Sequence, residues 1–285
     1  VRQGRKTGEI KKFLRYWFEV NFSNIEFNCL TSAQSKISTK KWYPCNKGGE
    51  FQKWFGNEDY LLNWKSDGYE IRNFKDETGA LRSRPQNTQY FFKEGITWST
   101  VTMGKPSFRF SSAGRIFESG GSTLFSIEED IYFLLGVLNS KLGELAVGIL
   151  SPKVSLGEGA VAKFPIPKFD DEIKKSISKI AYTLVEDFKN MEFFNESSFH
   201  FKGLDLLNSS EIFISDYSIR FQNFFNMKIE DIYEKERTID DLISKQPLQN
   251  EKNNSNDRDV NEFSDEVVGQ KILSYAIGCM MGRYS

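Results

Sequence analysis

The stretch that decides the reading runs from Lys41 to Phe125 and carries KWYPCNKGGEFQKWFG (41–56), LRSRPQNTQYFFKEGITWS (81–99) and GKPSFRF (104–110). Tryptophans, turn glycines and basic side chains alternate through it. Short aromatic or β-branched runs, YLLNW (60–64), YEIRNF (69–74), ITWSTVTM (96–103) and RIFES (115–119), are separated by SDG, ETGA, RSRP and SSAG. Runs of that length between turn residues predict a mixed sheet with irregular loops. The interleaved cations and aromatic rings are what a nucleic-acid surface needs, because cations neutralise phosphates and rings stack on bases.

Working outward, the charge is segregated. Residues 1–125 hold 20 Lys and Arg against 12 Asp and Glu, a balance of +8, whereas residues 126–285 hold 18 against 27, a balance of −9. The net charge of −1 hides this asymmetry. A basic half that docks on an acidic half is the alternative to a phosphate-binding surface.

Past Ser126 the periodicity becomes helical. Ile131, Leu134, Leu135, Leu138, Leu142, Leu145, Ala146 and Ile149 predict one buried helix of about five turns. SPKVSLGEGAVAKFPIPKF (151–169) reads as extended, since Pro165 and Pro167 bias their neighbours away from helix. Asp170, Asp171 and Glu172 precede an amphipathic helix through Ile173, Ile177, Ala181, Leu184 and Phe188, at the end that favours acids. One or two helices are expected in 211–245, a polar linker in 246–262 and a last helix in 263–285. Upstream, Thr7 to Val20 reads as a short helix or a helix leading into a strand. The expected class is α+β, with a connector (1–20), a mixed-sheet domain with irregular loops (21–168), and a helical region (169–245) before the linker. The chain starts at Val1, and its first residues are expected to be the interior of a longer protein.

Catalytic chemistry is poorly represented. The single histidine, His200, excludes His-based metal clusters and most Ser/His or Cys/His systems, and is expected to be a half-buried structural residue. Cys29, Cys45 and Cys279 lack C-x-x-C spacing and are expected to be reduced thiols. No phosphate loop occurs, and Gly157-Glu158-Gly159 reads as a plain turn. Amino-methylating DNA methyltransferases need an Asn/Asp-Pro-Pro-aromatic motif, yet none of the 7 prolines is followed by another. No apolar run approaches a membrane span of about 18 residues, so cytoplasmic residence is the expectation.

Binding residues are better represented. Arg82 and Arg84 flank Ser83 before Pro85, with Gln86 and Asn87 following; Arg reads guanine and Gln or Asn reads adenine by bidentate bonds. Lys47 with Gly48 and Gly49 combines a cation with a backbone able to approach a phosphate. Thr97, Trp98 and Ser99 offer a stacking ring between hydroxyls, and Lys105, Arg109 and Arg115 supply further cations. For each the alternative is ordinary: a solvated turn, a core tryptophan or an exposed charged face.

FLRYWFEV (13–20), KWYPCNKGGEFQKWFGN, NWKSDGYEIRNF, LRSRPQNTQYFFKEGITWS, LLGVLNSKLGE (134–144) and LSYAIGCMMGRYS (273–285), in this order, resemble the C-terminal region of PglX-type adenine-specific DNA methyltransferases of BREX phage defence, relatives of type IIG restriction-modification enzymes. LNSKL and FPIP (164–167) also resemble recognition units of type I specificity subunits. The resemblance implies a target recognition domain that reads duplex DNA and presents an adenine to an upstream methyltransferase domain using S-adenosylmethionine. It implies no catalytic, cofactor or metal residue in this chain. The rival is an interaction module for other defence proteins, and an intact enzyme with an unrecognised site is a third reading.

Overall fold

Two small sheets carry the aromatic segments. The computed structural model describes residues 1–2, 9–83, 85–101, 104–151, 155–203 and 214–245, and the chain divides into two units, Val1–Phe188 and Lys189–Ser285. The expected α+β class is the one observed.

In the first unit, helix α1 (Ile10–Phe13) runs into strand β1 (Leu14–Tyr16); α2 (Ser32–Ile37), β2 (Trp42–Asn46), β3 (Tyr60–Asn63) and α3 (Lys65–Arg72) follow. β1 therefore lies within the segment read as a connector. Then come β4 (Gly95–Trp98), β5 (Phe108–Ser111), β6 (Ile116–Phe117) and β7 (Thr123–Leu124). One sheet has the order β1-β3-β2-β6, antiparallel except for β2 with β6, and the other β5-β4-β7, antiparallel throughout. The first sheet buries Phe13, Tyr43, Leu62, Trp64, Phe91 and Phe117, with edge-on ring pairs Trp64–Phe91 and Phe91–Phe117 both at 5.2 Å. Each such side chain contributes about 1.5–3 kcal/mol by leaving water.

The start of α3 is a left-handed turn: Ser66, Asp67 and Gly68 have φ of 52°, 56° and 74°. A Cβ on Gly68 would lie 2.5 Å from the Trp64 ring, so glycine is required there. The Asp67 carboxylate holds the turn, accepting from Ser32 Oγ (2.8 Å), Ser35 Oγ (3.0 Å) and Trp64 Nε1 (3.3 Å) and pairing with Arg72.

The single helix expected across 131–149 is broken. α4 (Ile131–Asn139) and α5 (Lys141–Leu150) meet at 74°. Asp130 caps α4 by accepting from the N–H groups of Tyr132 and Phe133, both at 2.9 Å, and Ser140 caps α5 by accepting from Gly143 N at 3.1 Å. The segment expected to be extended contains a short helix, α6 (Glu158–Ala162), which Gly157 opens. α7 (Asp171–Glu192) starts at the acids, as expected, and its Ile177 packs so close to α4 that a Cβ on Gly136 would be 2.6 Å from Ile177 Cγ2. No helix among the described residues is long and apolar enough to cross a membrane.

Among the described residues of the second unit, 211–245, where one or two helices were expected, carries one long helix, α8 (Ile214–Ser244). Phe194 packs edge-on against Phe221 and Phe225 at 5.7 and 5.3 Å, and His200 is half-buried with its ring 4.1 Å from that of Phe199. The linker, the last helix and Cys279 lie outside the described residues.

Candidate nucleic-acid interface

The loop between β2 and β3 is built on backbone anchors. Gly48 has φ +92°, and a Cβ there would lie 2.5 Å from Gly120 O. Gly49 donates its N–H to Ser99 Oγ (3.0 Å), which donates back to Gly49 O (2.9 Å). The N–H read as a phosphate donor is therefore bonded within the protein. Further along, Trp54 is buried at φ 66°; its N–H donates to Phe108 O (2.9 Å) and its carbonyl accepts from Phe110 N (2.8 Å). The outer edge of β5 is completed by Asn139, whose amide oxygen accepts from Phe108 N (3.0 Å) and whose amide nitrogen donates to Phe108 O (2.9 Å). A loop backbone and one side chain thus satisfy an edge that would otherwise be open.

Several candidates belong to the core. Trp98 has 0% exposure and donates Nε1–H to Leu156 O at 2.9 Å, so its ring offers no face to a base. Thr97 and Ser99, on either side, are buried and bonded to loop carbonyls, and Ser83 is buried. Arg109 is 1% exposed: Nη1 donates to Gln52 O (3.3 Å), Nη2 to Ser99 Oγ (3.4 Å), and Nε meets no acceptor. Burial pulls its guanidinium pKa down to about 10, with Glu58 acting the other way. Arg115 is also buried, 2.7 Å from Glu58. Cations spaced along β-rich segments look alike in sequence whether they face water or a buried carboxylate. Arg109, expected from its spacing to meet a phosphate, is instead buried, as are Thr97, Trp98, Ser99 and Ser83, so none of these side chains offers an exposed contact.

Other candidates reach the surface. Arg82 is exposed, its guanidinium carbon 5.8 Å from the Phe74 ring, at the end of a tight hairpin in which Arg82 N donates to Phe74 O (2.9 Å). Asp76 fixes the hairpin tip by accepting from Thr78 Oγ1 (2.6 Å), Thr78 N (2.9 Å) and Ala80 N (3.0 Å), which holds its pKa below the ordinary carboxylate value. Gln86 and Asn87 are half-buried, Asn87 in the left-handed region; Arg84 lies outside the described residues. Lys105 is half-buried and sits 3.7 Å from Glu144 of α5. Lys47 places Nζ 4.3 Å from the centre of the Tyr60 ring.

That lysine leads to a group missed in the sequence. Tyr60 and Tyr16 are register partners across β3 and β1, their rings 4.7 Å apart and their hydroxyls hydrogen-bonded at 3.0 Å. Phe18 lies 5.2 Å beyond Tyr16 with the ring planes within 8° of parallel. The available signal was the FLRYWFEV run, of which Phe13 and Leu14 are buried while Tyr16 and Phe18, where β1 passes into a 3₁₀ turn (Trp17–Glu19), are exposed.

S-adenosylmethionine sites use a Gly-rich strand-to-helix loop. Here β3 leads to α3 through Trp64 and β7 to α4 through residues 125–130, without glycine, so these connections do not fit that cofactor. Among the described residues no group of three or more His, Cys, Asp or Glu is placed to hold a metal.

No family model matches the chain. It is similar over 100% of its length to an adenine-specific methyltransferase PglX of Lacticaseibacillus casei (strain Zhang), 31% identical over 297 residues, covering 24% of that protein. It is likewise similar over 98% of its length to an adenine-specific methyltransferase BrxX of Escherichia coli O9:H4 (strain HS), 30% identical over 306 residues, covering 23% of it. The chain spans about a quarter of the length of these curated relatives. The resemblance to PglX-type adenine-specific methyltransferases expected from the sequence thus extends over the whole chain.

Proposed function

We propose that this chain is the C-terminal DNA-recognition region of a PglX-type adenine-specific methyltransferase of a phage-defence system, reading duplex DNA for a catalytic module outside it. One observation carries the proposal: the chain matches two adenine-specific methyltransferases over its whole length but spans only about a quarter of theirs, and it contains no Pro-Pro motif for amine methylation. Target presentation requires the adenine to leave the duplex, because its amine is otherwise paired. S-adenosylmethionine would belong to the catalytic module. Among the side chains of the sequence candidates, Arg82 is exposed and the best placed to meet DNA, while Lys47, Gln86, Asn87 and Lys105 are half-buried and Lys105 is paired with Glu144.

Fluorescence anisotropy of the chain with a mixed-sequence duplex across a salt series tests the proposal. A steep fall of log affinity with log salt is expected, and Lys47→Ala or Arg82→Ala should each lower the slope by about 0.9 for every phosphate contact removed. No binding at low salt by a folded sample refutes it. A second reading, docking of other defence proteins, draws on α8, where Ile219, Phe224 and Met227 are exposed at 57%, 45% and 74%. Unchanged DNA binding together with loss of a defence-protein partner on Met227→Glu would favour it.

A further inference from the structure

Resting on that reading, we infer that the ring column Tyr60–Tyr16–Phe18 is a stacking platform for a DNA base that has left the double helix. Phe18 is 63% exposed, although one of its faces is covered by Tyr16 at 5.2 Å and Trp17 approaches it edge-on at 5.8 Å. The remaining surface is an aromatic face turned to water at the end of a stack that is already two rings deep. Exposing phenylalanine there is unfavourable in the unbound protein. A planar π-system is the partner that continues such a stack without any hydrogen bond being required of it.

The column is held rigid before any ligand arrives. Tyr16 and Tyr60 are locked in register, Tyr16 N donates to Glu19 Oε2 (2.8 Å), and Trp17 N donates to Asp59 O (3.0 Å), which fixes the single 3₁₀ turn carrying Phe18. A cation stands at its inner end: Lys47 lies over Tyr60 at 4.3 Å, whereas Lys12 pairs with Glu70 at 3.3 Å and Arg15 lies over Trp42 at 5.8 Å. Of the neighbouring carboxylates, Glu19 is engaged by the Tyr16 backbone. Burial and the nearby Glu58 hold the Asp59 carboxyl above its ordinary pKa. An exposed ring at the end of a stack, with a cation at the other end, is a combination that takes up an unpaired base by stacking while the charge favours its phosphate. Bases inside a duplex have both faces covered, so the ligand is an unpaired base, whether flipped, bulged or at a strand end.

The test uses the whole chain and two labelled duplexes, one fully paired and one carrying a single bulged adenine, with affinities from anisotropy. The wild type should prefer the bulged duplex on the order of tenfold to a hundredfold, the scale of one base–aromatic stack. Phe18→Ala should abolish the preference while leaving affinity for the paired duplex and the melting temperature unchanged, and Phe18→Trp should retain it. A bulge preference that is absent in the wild type, or that survives in Phe18→Ala, overturns the platform while paired-duplex binding leaves the recognition role standing. Failure of the wild type to bind either duplex overturns both. If Phe18→Ala leaves DNA binding intact and instead weakens association with the separately added catalytic region of a relative, the column is a protein contact and the platform is refuted.

Discussion

Replacing Asn139 by alanine should loosen the β5-β4-β7 sheet from α4. Asn139 is 7% exposed and makes two hydrogen bonds to one residue of β5, accepting from Phe108 N at 3.0 Å and donating to Phe108 O at 2.9 Å. Alanine leaves the Phe108 N–H buried without that acceptor, which costs about 1–3 kcal/mol. The Phe108 carbonyl suffers less, because Trp54 N still donates to it at 2.9 Å. Asn139 ends α4, and alanine is the better helix former by roughly 0.5 kcal/mol, which offsets part of the loss. The net expectation is a destabilisation of about 2 kcal/mol, read by urea denaturation with tryptophan emission, in which Trp98, 5.9 Å from Phe108, reports on this edge. Asn139→Asp keeps the acceptor but turns an anion toward the Phe108 carbonyl, and should be at least as damaging. A loss below about 0.5 kcal/mol for alanine, well under the penalty of a buried unpaired donor, would refute the reasoning.

Two further outcomes follow from the buried charges. Glu58→Gln removes the carboxylate 2.7 Å from buried Arg115 and should cost about 3–5 kcal/mol, whereas Arg109→Met, which deletes a poorly bonded buried cation, should be near neutral or stabilising; equal losses in denaturation would show that Arg109 is held as firmly as Arg115. Asp59 has its carboxyl pKa raised above 3.8, first by desolvation and then by Glu58, so the folded state holds that proton more tightly than the unfolded chain. Its stabilising contribution is complete below the unfolded pKa and is lost as pH rises through the folded one. Asp59→Asn should therefore melt higher than the wild type at pH 7, with the gap closing toward pH 3; a gap independent of pH would contradict this.

The sequence made the α+β class legible through alternating aromatic runs followed by helical periodicity, and the acids at 170–172 located the start of α7 closely. The break between α4 and α5 was not legible from spacing, because apolar residues continue at helical intervals through both; the expected buried face holds in α4 only, since in α5 Leu145 and Ile149 are exposed and Val147 is the buried one, and the capping role of Ser140 is what distinguishes two helices from one. The left-handed turn at Ser66–Gly68 was visible only as a turn signal. Among the candidate contacts, Arg82 was legible as a surface cation, but Arg109 and Trp98 were not legible as core: a buried arginine needs Gln52, Ser99 and Glu58 brought together from distant positions. Tyr16 and Phe18 were hidden because an exposed ring column depends on the pairing of β1 with β3, which no local pattern announces.

The loop from Lys47 to Trp54 is tied down at Gly49 and Trp54 chiefly through main-chain N–H and carbonyl groups. Main-chain atoms are common to every amino acid, and the side chains of Glu50 and Phe51, between those ties, are exposed. Substitution there leaves the ties intact. A scaffold fastened in this way lets its outward residues diversify while the frame beneath persists, so that the surface chemistry of the loop can change by a few letters rather than by re-evolving a fold.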